Sequence, residues 1–343
     1  AAAVAAARTG VSVCLVENSC SLGGLATLGN VVVYLPLCDG HGTQVVGGLG
    51  EELLHLSLAD GNGDLPACWN AGGAPEQRRN TRYKATFNPA SFLLELESLV
   101  LRSDIDLMYD TRVVAVRREK QGVRHLLVEN RSGREALAAQ VVIDATGDAC
   151  VCTEAGEETV TRNTNVACGW FYSYDGANIL LHKLSKPFPR DPAKPPDDTR
   201  GYSGTDATDV TAHVVASREM MRSRVRGLTA QAAGTGIYPL ILPSLPCFRM
   251  TRRLAGSRTL TEEDHGTWTN DAVGMFGDWR RAGPVYALPL ACLTGVRNRN
   301  LLAAGRCISA EGAAWDVARA IPACAVSGQA AGVAAALAAA ETA

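Results

Sequence analysis

The residues of this chain best suited to chemistry are a carboxylate at the end of a short apolar strand, glycines that follow it, and a glycine-arginine pair and a serine near the other end. Glu17 closes Val11-Ser-Val-Cys-Leu-Val16, which follows an alanine-rich run from Ala1 to Arg8 and a glycine at position 10. Small-residue helix, glycine, apolar strand and acid make the second half of a βαβ nucleotide-binding unit, in which the carboxylate accepts a ribose hydroxyl pair. Two vicinal hydroxyls call for a bidentate acceptor, which a neutral side chain replaces poorly. The other reading of Glu17 is a solvated acid at a strand end. About 20 residues separate glycine fingerprint and acid in such units, so the first strand and its G-x-G-x-x-G loop are expected at or before residue 1, an amino-terminal truncation.

Four further groups carry cofactor chemistry by type and position. Gly23-Gly24, followed by Ala26-Thr27, offers bare backbone for close approach and a hydroxyl for a hydrogen bond, or is an ordinary loop. Ala145, Thr146 and Gly147 follow the buried run Val141-Val-Ile143, where a glycine turns the chain and a threonine satisfies nearby donors. Asp144 and Asp148 beside them are either ligands or cap and turn residues. Gly305-Arg306 follows the strand 300–304, and Ser327, Gly328, Gln329 and Ala330 open a final helix whose positive end suits negative charge. Gly328 and Gly332 equally suit a close-packed helix.

Several residues invite a catalytic or substrate-binding role. Arg306 and Arg319 neutralise a phosphate or an anionic substrate, or serve the surface. Arg252, within Arg249-Met-Thr-Arg-Arg253, presents a fork for a carboxylate-bearing small molecule, or belongs to a solvated basic turn. His41 lies in Asp39-Gly-His-Gly42 and either transfers a proton or has no catalytic duty. Cys307 invites a redox reading but lacks a close sequence partner, which favours a buried small hydrophobe. Val45-Val-Gly-Gly-Leu-Gly50 lacks the Lys-Ser or Lys-Thr of a phosphate loop and reads as structural.

These residues need elements to hold them. The apolar runs predict an α/β protein, with helices at 1–8, around 51–58, 92–102, 210–229 and from about Ser327, and strands at 105–108, 112–117 and 125–129. Turns at Gln121-Gly122 and Ser132-Gly133 connect the middle strands. Residues 1–35, 88–156 and 291–343 read as a discontinuous nucleotide-binding domain. Residues 36–87 and 157–290, with the proline- and charge-rich stretch Lys186 to Arg200, read as insertions that form an α+β substrate-side domain.

Composition narrows the partners. The chain has 343 residues, 47% hydrophobic and 20% charged, so it is long enough for one large or two modest cores. Lys and Arg number 33 against 35 acids, which argues against nucleic acid or an anionic membrane surface and for a small ligand. The alanine-rich run 326–340 is shorter than the roughly 20 residues of a membrane span, so none is expected. Eleven cysteines without a C-x-x-C pair point to a reducing cytoplasm and to no intrinsic metal site.

Four segments together resemble a known family: Ala6-Ala-Arg-Thr-Gly-Val-Ser-Val-Cys-Leu-Val-Glu17, Gly23-Gly-Leu-Ala-Thr27, Val142-Ile-Asp-Ala-Thr-Gly-Asp148 and Leu301 to Gly332. The chain resembles the FAD-dependent oxidoreductases of the glutathione-reductase-like superfamily with two dinucleotide-binding folds, akin to the flavin subunit of heterodisulfide reductase. That resemblance implies a Rossmann-like FAD/NAD(P)-binding fold with a parallel central sheet and FAD as cofactor. It assigns Glu17 to the adenosine ribose and the C-terminal block to the flavin. It implies two-electron oxidation or reduction of a small organic molecule. The alternatives are a flavin subunit that passes electrons to an iron–sulfur partner, and a chain without activity because its glycine loop is missing.

Overall fold

The computed structural model describes residues 1–61, 63–188, 199–231 and 236–341, so most of the proline- and charge-rich stretch, at 189–198, lies outside them. The chain forms two compact units. The first comprises Ala1–Leu22, Val33–Val160 and Arg252–Ala343, and the second Gly23–Val32 and Thr161–Thr251. The boundaries differ from those read in the sequence in three places, each for a backbone reason. Residues 252–290 join the first unit, where Ala255 N donates to Glu158 O and Leu260 N to Ser309 O, both at 2.9 Å. Leu28 in the early segment accepts from Ser244 N at 2.9 Å, which ties it to the second unit. Residues 36–87 stay with the first unit, where Val33–Tyr34 pairs with Ala85–Thr86 and Leu37 N donates to Tyr83 O at 2.9 Å.

The structure is mixed α/β, and its described strands pair in seven sheets of two or three strands. Two pairs in the first unit are parallel. Cys14–Val16 runs beside Asp106–Met108, and Val142–Asp144 beside Leu301–Ala303. The alanine-rich first helix, Ala2–Arg8, ends at Gly10, whose φ of 93° is the left-handed conformation that glycine adopts without strain. Helix Pro89–Leu101 starts at Asn88, whose side chain accepts from Ala90 N and Ser91 N, with proline at the first helical position. Arg112–Glu119, Gly122–Asn130 and Gly133–Ala138 form an antiparallel meander through the two expected turns.

The second parallel pair sits in the core. Val142, Leu301, Ala303, Val151, Cys152, Leu254 and Cys307 are all buried in one cluster. Burying a leucine such as Leu301 contributes about 1.5–3 kcal/mol. This is what fixes the loops that leave the two strands.

The final helix is Ile321–Glu341, and it starts six residues before the expected Ser327. Pro322 explains the difference: a proline lacking N–H is accommodated in the first helical turn rather than breaking the helix. At 21 residues, with an 18-residue window of mean hydropathy 1.5, this helix is long and apolar enough to cross a membrane, contrary to the length read from the sequence. Its small residues instead face protein. Gly328 and Gly332 lie against the first helix, and added β-carbons there would sit 2.9 Å from Ala1 Cβ and 2.3 Å from Ala2 O. Close helix contact therefore requires both glycines.

In the second unit, Cys168–Tyr174 is the middle strand of an antiparallel sheet between Ile179–Ser185 and Tyr238–Ile241. The long helix Ala207–Gln231 buries His213, Ser217 and Met221. Ala167, Tyr202 and Phe248 form a small core there.

Candidate cofactor site

The carboxyl ends of the parallel strands 142–144 and 301–303 open side by side into two loops, the place where open α/β sheets bind ligands. Asp144, fully buried, organises the first loop. Its Oδ1 accepts from Thr146 N at 3.0 Å and Thr146 Oγ1 at 2.7 Å, and its Oδ2 accepts from Cys152 N at 2.8 Å. Thr146 Oγ1 in turn accepts from Cys150 N at 3.1 Å. Asp144 thus acts as a turn and helix-start residue. Ala145 and Thr146 are exposed, and Gly147 has a φ of 79°.

Arg306 joins the second loop to the first. Its Nε donates to Gly147 O at 3.0 Å and its Nη2 to Asp148 Oδ1 at 2.8 Å, with the side chain largely buried. A β-carbon on Gly147 would lie 3.0 Å from this guanidinium. Arg252 supports the same loop from a third element, donating from Nε to Asp148 O at 2.8 Å. Gly305 has a φ of 76°, and the Cys324 side chain approaches the position of a β-carbon, with Sγ at 3.8 Å and Cβ at 3.9 Å. Ser327 is buried, accepts from Gly305 N at 2.9 Å and donates to Cys324 O at 3.1 Å.

The other predicted residues fall as follows. Glu17 is half-buried at the end of strand 14–16, and its Oε1 accepts from Ser19 N and Ser19 Oγ, both at 2.8 Å. Gln329 Oε1 accepts from Leu49 N at 2.8 Å, so this side chain anchors the start of helix Leu49–Leu56. The run Val45 to Gly50 packs there, as its structural reading required. Ala330 is half-buried in the terminal helix. Gly23, Gly24 and Thr27 belong to the second unit. Gly24 has a φ of 54° with open space where a β-carbon would lie, while Thr27 is buried with Oγ1 donating to Gly24 O at 3.4 Å.

His41 is exposed in a loop where Asp39 Oδ1 accepts from its backbone N at 2.7 Å. Cys307 is fully buried, and desolvation pushes its thiol far above the ordinary range, which leaves a small hydrophobe rather than a nucleophile. Arg319 Nε donates to Asp316 Oδ1 at 2.9 Å. A residue that the sequence reading missed is Trp315, whose buried indole donates to Arg306 O at 2.7 Å. Its signal was weak: a lone large aromatic in an alanine- and glycine-rich block.

Parallel strands that empty into glycine turns, with an acid at the end of one strand and a small-residue helix behind another, define a nucleotide-binding α/β protein. The family of FAD dependent oxidoreductases matches residues 1–169 and 163–343, which together span the whole chain, and the chain belongs to this family. FAD is accordingly its cofactor. No curated protein matches it.

Solved structures are similar at low identity. The Diels-Alderase PyrE3 of pyrroindomycin biosynthesis is 12% identical, with a TM-score of 0.44 over 94% of this chain and 60% of its own. The 3-ketosteroid-delta4-(5alpha)-dehydrogenase from Rhodococcus jostii RHA1 is 12% identical, with a TM-score of 0.43 over 98% of this chain and 94% of its own. BexE, from BE-7585A biosynthesis, is 12% identical with a TM-score of 0.42 over 88% of this chain, which spans 53% of its length.

The residues fit the cofactor. Gly305 turns the chain at the strand end in a left-handed conformation, Ser327 holds that turn, and Glu17 keeps Oε2 clear of hydrogen bonds among the described residues.

Proposed function

We propose that this chain is an oxidoreductase that binds FAD through the first unit and transfers two electrons to or from a small organic substrate. The observation that carries the reading is the clasp of Arg306 on Gly147 and Asp148 at the carboxyl ends of two parallel strands. When bound, FAD supplies two-electron chemistry through its flavin ring. The chain's own residues position and polarise it. Glu17 accepts ribose hydroxyls, with Oε2 as the principal acceptor because Ser19 occupies Oε1. Gly147 and Gly305 let backbone approach closely. Ser327 fixes the Gly305 turn, and Arg306 and Arg252 hold the Asp148 turn against it.

The four sequence segments support the finer reading, a Rossmann-like sheet of the glutathione-reductase-like kind with its FAD side in residues 1–35, 88–156 and 291–343. We assign substrate selection to the second unit, whose arginine at 249 suits a carboxylate-bearing molecule. Reconstitution with FAD tests the function: a yellow protein of one flavin per chain that dithionite bleaches is expected. A colourless protein, with an upstream strand and G-x-G-x-x-G segment supplied, overturns it.

A further inference from the structure

The second unit holds two cysteines for which the flavin site provides no role. Cys168 begins the middle strand of the sheet, and Cys247 lies in the loop before Arg249. Each is 5% exposed and neither is bridged, and Cys247 Sγ donates to Gly29 O at 3.5 Å. Both line a cavity of about 30 Å³, together with His213, Ser217 and Met221. That volume admits one or two molecules of water size.

The surroundings make the two thiols unequal. Arg249 Nη2 lies 3.9 Å from Cys168 Sγ, and the arginine is held by Ser185 Oγ at 3.4 Å and by the Phe188 ring at 4.6 Å. The neighbouring Cys247 thiol and the guanidinium charge hold the Cys168 thiol below the ordinary cysteine range against the opposing effect of burial. The neighbouring Cys168 sulfur and burial push the Cys247 thiol up. A guanidinium beside a thiol favours the thiolate, the nucleophilic form of cysteine. His213 is fully buried and donates from Nε2 to Val166 O at 3.0 Å, which fixes the tautomer and leaves Nδ1 as an acceptor with no partner among the described residues. The cavity thus combines two thiols, one of them beside a guanidinium, and a neutral acceptor.

We propose that Cys168 and Cys247 are a redox-active dithiol that reduces hydrogen peroxide and closes to a disulfide. The Cys168 sulfur attacks one peroxide oxygen; an S–O bond forms, the O–O bond breaks, and the departing hydroxide takes a proton from solvent to become water. Cys168 is then a sulfenic acid. The Cys247 sulfur attacks Cys168 Sγ; the S–S bond forms, the S–O bond breaks, and the departing hydroxide combines with the Cys247 proton as a second water. Two thiols have lost two electrons, and one peroxide has gained them. His213 Nδ1 accepts a hydrogen bond from the peroxide hydroxyl. None of this requires flavin.

Peptide mapping of the reduced full chain after hydrogen peroxide treatment at pH 7 tests the proposal. The expected product is a Cys168–Cys247 disulfide, with two thiols lost per chain, restored by dithiothreitol. It should form at least tenfold faster than oxidation of Cys292, a thiol that burial pushes up to about 12. In Cys247→Ser the sulfenic acid has no resolving thiol, so dimedone should label Cys168. Peroxide-treated wild-type chain in which both cysteines remain open to alkylation while others oxidise overturns the proposal, as does dimedone labelling elsewhere in the variant. The wild-type map decides the matter alone should the variant fail to fold. Neither readout depends on FAD loading, so failure here and failure of the flavin reading are separate results.

Discussion

Arg306 Nη2 donates to Asp148 Oδ1 at 2.8 Å while its Nε donates to Gly147 O, so one guanidinium closes two loops that lie 158 residues apart in sequence. The fork is essential to this clasp, because a lysine ammonium cannot reproduce two divergent donations in a fixed plane. Charge-assisted hydrogen bonds of this kind contribute about 1.5–3 kcal/mol. Arg306→Ala is expected to weaken FAD retention about tenfold or more, and Arg306→Lys to fall between it and wild type. Flavin titration followed by fluorescence quenching measures both.

Arg252 tests the same loop from the other side. Its hydrogen bond to Asp148 O makes it a support of the 144–148 loop, whereas the sequence offered a substrate fork or a solvated basic turn. Arg252→Ala should lower FAD retention at least as much as it raises the substrate KM. An unchanged FAD affinity with a raised KM would return Arg252 to the substrate.

Asp144 accepts three hydrogen bonds while fully buried. Asp144→Ala leaves the donors of Thr146 and Cys152 unpaired, at about 1–3 kcal/mol for a buried donor. A lower urea midpoint and loss of flavin together are expected. Asp144→Asn keeps one acceptor oxygen and should restore part of both.

The terminal helix predicts a packing effect with no chemistry in it. Gly332→Ala would place a methyl 2.3 Å from Ala2 O and 2.8 Å from Ala5 Cβ. Overpacking of this sort costs about 1–3 kcal/mol. Thermal melting should show the loss in the absence of FAD as well as in its presence.

Acid stability should depend on Asp278. Burial works to raise its pKa, but hydrogen bonds from Arg280 and the charges of Arg280 and Arg281 outweigh that and hold it below its ordinary 3.8. A carboxylate depressed in the folded state stabilises it above the unfolded pKa, and that contribution is lost as pH falls through the lower folded value. Asp278→Asn should therefore reduce stability at neutral pH and flatten its fall below about pH 4. Denaturant midpoints across that range measure the difference.

Much of the local structure was legible in the sequence because short-range rules set it. The first helix, its glycine stop, the strand before Glu17 and the turns of the 112–138 meander follow from composition and period within a few residues. Ala145 to Gly147 and Gly305 were legible for the same reason: glycine turns that follow buried strands. The start of the last helix was misplaced because Pro322 reads as a break, although a proline is suited to a first turn.

Tertiary structure decided which partner each polar group found. Type and spacing gave Arg306, Arg252, Asp144 and Gln329 two roles each. For three of them the choice rested on residues far away in sequence: Asp148 for both arginines and Leu49 for Gln329. Glu157 left no sequence signal, yet it is buried and accepts from the backbone of Val296, Arg297 and Asn298. Cys168 and Cys247 became neighbours in the same way. The sequence by itself determined the periodic elements and the turn-forming glycines, because those depend on the residue and its immediate neighbours. Packing decided the pairing of buried donors and acceptors, because a group removed from water must be satisfied by whatever the fold brings to it.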